Sequence, residues 1–264
     1  RFVESVVDQI KSLPFKEPFV IGLYGPWGSG KSSFILMIKD KIKKKYSESH
    51  FFLMDFNPWI YKSEGMLLLN FFKELFKATG TKFKKQKNAK NFAKELFAYA
   101  SYLSVPAATL GLGASVMDGG VSFAAILGGQ KILESISNFF ENEKSLEKIK
   151  SDIDKMLDKL AVPLLIFVDD IDRLTNLEIR QLFKLIKLTA NFRNIRYVLL
   201  FDDKIVAQAI GKDFGLGNED DGRLFLEKII QLPINIPKID PDIHYEYTIG
   251  LINKILDERK VKTH

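Results

Sequence analysis

Gly25-Pro26-Trp27-Gly28-Ser29-Gly30-Lys31-Ser32 sets two glycines, a lysine and a serine at the spacing G-x-x-x-x-G-K-[ST]. Phosphate chemistry asks for these residue types in this order. Glycines let the backbone curl until successive N–H groups point inward at anionic oxygens. Lys31 neutralises the outer phosphates, Ser32 offers a hydroxyl to Mg²⁺, and a helix opening there presents its positive end. At ordinary residue usage such a string arises by accident in roughly one chain per hundred of this length. The flanks set this one apart, because an apolar strand pattern ends at Tyr24 and an amphipathic helix pattern begins at about Ser32. Gly25 to Ser33 is therefore the expected nucleotide-binding loop.

A second string, Leu164-Leu165-Ile166-Phe167-Val168-Asp169-Asp170, is an apolar run ending in acids. It puts a carboxylate at the carboxyl edge of a parallel sheet, where ligands of such folds bind. Asp169 is the expected second metal ligand beside Ser32, directly or through its water shell. Asp170 faces the other way and can polarise an attacking water. A third run, Arg196-Tyr197-Val198-Leu199-Leu200-Phe201, ends in Asp202-Asp203. Asp202 is either a γ-phosphate or water contact, or a cap for the helix pattern starting at Lys204. Arg223 and Lys228 precede the last strand pattern. Each is either a cation that reaches a neighbouring subunit's nucleotide or part of a solvated helix face.

These residues need a sheet to position them. Five apolar runs bounded by turn or polar signals read as strands: Phe19–Tyr24, Phe51–Phe56, Leu164–Val168, Arg196–Phe201 and Ile229–Ile236. None alternates cleanly over its length, which suits strands covered on both faces. Helical patterns fall at Ser32–Lys45, Met66–Ala78, Ser145–Leu160, Leu177–Thr189 and Lys204–Ile210. Strands alternating with helices predict an α/β fold: a mainly parallel sheet with helices on both sides.

Composition narrows the classes. The 264 residues are 46% hydrophobic and 27% charged, ordinary for a globular domain. No cysteine is present, which excludes disulfide scaffolds, zinc ribbons and thiol nucleophiles. The net charge of +6 is uneven. Lys39 to Lys94 holds 14 Lys against 5 Asp or Glu, a net of +9, so the remainder sums to −3. A solvated face explains this stretch better than a nucleic-acid footprint, since its aromatics fall within apolar patterns and no reader motif appears. Leu127-Gly128-Gly129-Gln130 resembles part of the ABC-transporter signature but lacks its Ser and its following Gln-Arg. No Asn-Lys-x-Asp string offers a guanine-specific pocket.

One segment stands apart. Leu96 to Met117 is 22 residues without a charge, and after Asp118 a further 12 run from Gly119 to Gln130. Its length invites a membrane helix, and the basic run Lys82–Lys94 before it would suit a cytoplasmic flank. Pro106, Gly111, Gly113, Thr109 and several serines make it weakly hydrophobic, as in a soluble Ala/Gly-rich helical insertion. Both readings stay open. The chain starts without Met or a secretory leader and stops after a helical pattern, Ile249 to Glu258, so it is expected to be part of a larger cytoplasmic protein.

Together, the tryptophan-bearing loop Gly25 to Ser33, Phe56-Asn57-Pro58-Trp59, Asp169-Asp170-Ile171-Asp172-Arg173, Phe201-Asp202 and Glu227-Lys228-Ile229-Ile230-Gln231-Leu232-Pro233 resemble the KAP P-loop NTPases. The resemblance spans about Phe19 to Pro237, in order. It implies one domain over residues 1–264, related to AAA-like and STAND signalling ATPases, with a helical insertion over 80–140. Many members carry membrane helices between the two nucleotide motifs, here separated by 138 residues. Bacterial members look to be associated with defence against phage and plasmids. The function expected is an ATP- and Mg²⁺-dependent hydrolase whose nucleotide state controls homo-oligomerisation or an attached effector. The alternatives are a nucleotide-gated scaffold at the inner face of the membrane, anchored through Leu96–Gln130, and a small-molecule kinase, for which no acceptor motif appears.

Overall fold

The apolar runs become strands because both of their faces are covered. In the computed structural model, which describes residues 1–14, 16–46, 50–61, 66–80, 82–83, 86–102, 145–212, 219–237 and 241–260, they form one sheet. Its strands are β1 (Phe19–Tyr24), β2 (Phe52–Phe56), β3 (Leu164–Val168), β4 (Ile195–Phe201) and β5 (Leu232–Asn235). The order is β2-β3-β4-β1-β5. Every pairing is parallel, with Phe56 beside Val168, Val168 beside Leu199 and Tyr24 beside Phe201. All carboxyl ends therefore share one edge. β4 stands between β1, which leads into Gly25–Ser33, and β3, which ends in the acids.

Every residue of β3 and β4 is buried. Alternate side chains feed two cores, as the strand period of two requires. Ile166, Val168, Tyr197, Leu199 and Phe201 enter the larger core, with Phe56, Phe71, Phe72 and Tyr99. Leu165, Phe167, Val198 and Leu200 enter the smaller one, with Ile35, Ile38 and Ile42. The helices are α1 (Phe2–Ser12), α2 (Lys31–Tyr46), α3 (Met66–Gly80), α4 (Gln86–Tyr102), α5 (Leu146–Leu157), α6 (Asn176–Thr189), α7 (Asp203–Gly211), α8 (Glu219–Glu227) and α9 (Pro241–Lys260). The buried residues of α3 to α8 line the larger core and those of α1 and α2 the smaller. From Tyr245 to Asp257, the side chains of α9 are all exposed.

The structure differs from the sequence expectation in three places. β5 is shorter than Ile229–Ile236, because Ile229 and Ile230 are buried in the turn that follows α8. There Gln231 locks onto β1: its N–H donates to Val20 O at 3.0 Å and its Oε1 accepts from Val20 N at 2.7 Å. Two further helices, α1 and α8, are additional to the expected set; in α1, Val3, Val6, Val7 and Ile10 recur at helical spacing and the last three are buried. Charged contacts add to the apolar packing of α1 on the smaller core. Glu4 pairs with Lys41, and Asp8 accepts from Lys45 and from the Tyr46 hydroxyl, each at 2.7 Å. These contacts hold both carboxyls below the usual carboxylate range. Part of the basic stretch thus faces acids of its own chain. Buried Arg196 of β4 completes the dock by donating to the carbonyls of Ile10, Leu13 and Pro14 at the end of α1.

Within the expected insertion, α4 is part of the body. Phe92, Leu96, Ala98 and Tyr99 are buried, and the Tyr99 hydroxyl donates to Leu188 O at 3.1 Å. The charge-free run thus begins in the protein core. Residues 103–144, which carry the rest of that run, lie outside the described residues. Among the described residues no helix is long and apolar enough to cross a membrane.

Candidate nucleotide-binding site

The loop leaves β1 at Tyr24, and Gly25 N–H donates to Phe201 O at 3.2 Å, so β4 fixes its start. Gly28 and Gly30 adopt φ of +81° and +80°, which a side chain would strain. A Cβ at Gly25 would lie 2.4 Å from Ser29 Oγ, so a side chain there would have to displace that hydroxyl. Ser29 Oγ is buried without a hydrogen-bond partner among the described residues. The loop ends as α2 begins at Lys31. The first amides of a helix have no intrahelical partner, and the first turn of α2 carries no acid that would compete with an anion.

On the other wall, β3 ends at Val168 and the chain turns sharply. Asp169 Oδ1 accepts the N–H of Asp170 at 2.8 Å, and Asp170 sits in the left-handed region, φ 58°. Asp is among the few residues that tolerate this conformation. A short 3₁₀ turn over Ile171–Arg173 follows, and α6 then opens on a capping box formed by Thr175 and Glu178. The acidic string is thus anchored at both ends.

These two walls enclose a cleft of about 240 Å³ lined by Trp27, Gly28, Gly30, Lys31, Ser32, Ser33, Asp169, Asp170, Asp172 and Arg173. Both of its cations are paired with its own acids. Lys31 Nζ lies 2.8 Å from Asp172 Oδ2 and donates to Gly25 O at 3.0 Å. Arg173 Nε lies 2.7 Å from Asp170 Oδ1. Asp170 Oδ2 accepts from Asn57 Nδ2 at 2.7 Å. Both oxygens of the expected base are therefore engaged.

Lys31, Ser32, Ser33, Asp169 and Asp170 meet here, as their spacing implied. Other expected residues do not line the cleft. Asp202 Oδ1 accepts from Lys204 N and Ile205 N at 3.1 and 3.4 Å, so it caps α7. The Arg223 guanidinium is bound to Asp203 and Glu219, at 2.6 and 2.7 Å. To act on a neighbour's nucleotide it would have to leave two carboxylates. Lys228 lines a separate, mostly apolar cleft with Leu224, Phe225 and Ile229.

Three residues in or beside the cleft had no expected role. Asn57 directly follows β2, and its register beside β3 brings it next to Asp170, 113 positions away. Its Oδ1 also accepts Trp59 N at 3.0 Å, which fixes the amide's orientation. Asp172 and Arg173 follow Asp169 so closely that one turn returns both to the cleft. The Trp59 ring, half-exposed, lies 5.6 Å from the Arg173 guanidinium.

The donor set fits a magnesium nucleotide. Among the described residues no group of three His, Cys, Asp or Glu forms a metal cage. Mg²⁺ in phosphate-transfer sites takes only one or two protein ligands and fills its shell with phosphate oxygens and water. Ser32 and Asp169, on opposite walls of the cleft, meet that requirement.

A parallel sheet with strand order β2-β3-β4-β1-β5, a glycine loop after β1 and acids after β3 define a P-loop nucleoside triphosphatase domain. The profile of the KAP family P-loop domain matches residues 1–249, and the chain belongs to that family. It is 25% identical over 252 residues to the phage T7 exclusion protein of Escherichia coli K12, an alignment covering 90% of this chain. The chain spans 32% of that relative's length. Two structures of the Aeropyrum pernix ORC2 protein, one of ADPNP–ADP complexes and one of the ADP form, are similar at TM-scores of 0.41 and 0.44. They share 9% and 10% identity, each over 89% of this chain and 47% of theirs.

Proposed function

We propose that this domain is a Mg²⁺-dependent ATPase whose nucleotide state controls assembly or an attached effector. The carrying observation is the convergence of Lys31, Ser32, Asp169 and Asp170 on one cleft from two strands that are not adjacent in the sheet. The loop amides and Lys31 bind the β- and γ-phosphates. Ser32 and Asp169 hold Mg²⁺, which when bound neutralises charge developing on the phosphates. Asp170 accepts a proton from the attacking water, and Asn57 orients its carboxylate. The family and the phage-exclusion relative make exclusion of phage the favoured setting.

The engaged state of Asp170 also supports the scaffold reading. A base with both oxygens bonded predicts slow turnover until something displaces a partner. Turnover by the purified domain separates the two readings. Hydrolysis in wild type that is lost in Asp170→Asn, with binding kept, supports the ATPase. ATP retained by both without hydrolysis at any protein concentration supports the scaffold.

A further inference from the structure

The cleft pairs both of its own cations. Three acids, Asp169, Asp170 and Asp172, face two cations, Lys31 and Arg173, and each cation is paired within the string Asp170-Ile171-Asp172-Arg173. An incoming polyphosphate brings several negative charges to a lining whose sum is already −1. Beyond what Mg²⁺ and the loop amides supply, a cation reaches the phosphates by exchanging its carboxylate partner for them.

The two cations are not equally free to exchange. The Lys31 side chain is only 11% exposed and bonds Gly25 O besides Asp172. The Arg173 side chain is 45% exposed and commits Nε alone to Asp170. Its two terminal nitrogens bond no described residue, and the guanidinium lies near the Trp59 ring. A planar fork with two unused nitrogens at the open side of a phosphate cleft matches a terminal phosphate's geometry. We propose that Arg173 is the γ-phosphate-contacting residue of this site, held on Asp170 until a triphosphate draws it away. This rests on the ATPase reading above.

The exchange also prepares the base. When Arg173 leaves, Asn57 still holds Asp170 Oδ2, so the carboxylate keeps its orientation while Oδ1 becomes free to accept a proton. Water then attacks the γ-phosphorus and gives one proton to Asp170 Oδ1. The bond from the γ-phosphorus to the β–γ bridging oxygen breaks, and ADP and inorganic phosphate leave. ADP has no group to draw Arg173 away, so with ADP the base stays engaged. Arg173 thus reads the difference between substrate and product.

The test compares wild type, Arg173→Lys and Arg173→Ala, each first shown to melt as wild type does. Calorimetry with Mg²⁺ measures affinity for ADP and for a non-hydrolysable ATP analogue, and turnover is measured beside it. The expected result for Arg173→Ala is ADP affinity within about twofold of wild type, affinity for the analogue reduced about tenfold or more, and kcat reduced on the order of 100-fold or more. Arg173→Lys, which keeps charge but not the fork, falls between. An unchanged preference for the analogue over ADP in Arg173→Ala overturns the proposal, even if turnover falls, because Arg173 would then only position Asp170. Faster turnover in Arg173→Ala overturns it too. If wild type binds neither nucleotide, the ATPase reading itself fails.

Discussion

Lys31→Ala removes more than the proposed phosphate ligand, because Lys31 is also the counter-ion of Asp172. The two side chains are 11% and 6% exposed and 2.8 Å apart. Truncating one partner of such a pair leaves the other charge buried and unmatched, a cost of about 3–5 kcal/mol for a fully buried pair. The cleft is open on one side, so the lower end, about 3 kcal/mol, applies. In a domain of this size about 1 kcal/mol shifts Tm by roughly 2–4 °C. Lys31→Ala should therefore lower Tm by about 6–12 °C without nucleotide. Asp172→Ala in the same chain removes the stranded carboxylate and should restore most of that loss. Differential scanning calorimetry of wild type, both single variants and the double variant closes the cycle. If Lys31→Ala melts within about 2 °C of wild type, or the double variant melts no higher than Lys31→Ala, the pair is not a stabilising element and the reasoning fails. The double variant also separates lost nucleotide binding from lost folding.

Three further outcomes follow from geometry. Asp202→Ala should cost about 1 kcal/mol of stability through the lost cap of α7 and leave ATP affinity within about twofold; a large affinity loss without a change in Tm would return Asp202 to the γ-phosphate role. A Cβ at Gly222 of α8 would lie 1.9 Å from Ala207 O of α7, so Gly222→Ala should destabilise by about 1–3 kcal/mol, and a variant as stable as wild type in urea would contradict that close crossing. Burial pushes the Tyr24 phenol up to about 12, and Tyr197 is raised as well. Both stay protonated in the folded chain where an unfolded tyrosine, near pH 10, has released its proton. Their stabilisation is complete below pH 10 and is lost as pH rises toward 12. Tyr24→Phe should flatten that decline in urea midpoints, and an unchanged slope would remove Tyr24 as a cause.

The phosphate loop and the strand-end acids were legible because their chemistry is local. Nine consecutive residues carry the loop, and β3 and β4 announce themselves as unbroken apolar runs since both faces are buried. What escaped was set by pairing across the sheet. Asn57 meets Asp170 only because β2 lies beside β3, and Arg223 looks free until Asp203 is seen 20 positions away. α8 opens with Glu219, Asp220 and Asp221, which hid its short buried side. Arg196, the second residue of β4, is a buried charge whose role the apolar run does not announce. Its partners are the carbonyls that end α1, 182 to 186 positions earlier. The Arg173–Asp170 pair was within reach of sequence, three residues apart, but needed the left-handed turn at Asp170 to be recognised.

The most direct measurement is calorimetric titration of ATP into wild type and into the Lys31→Ala/Asp172→Ala double variant, each with and without Mg²⁺. The account predicts stoichiometric, Mg²⁺-enhanced binding to wild type, and none to a double variant that melts as a folded protein. Equal binding by both, or none by a folded wild type, would contradict the assignment of this cleft as the nucleotide site.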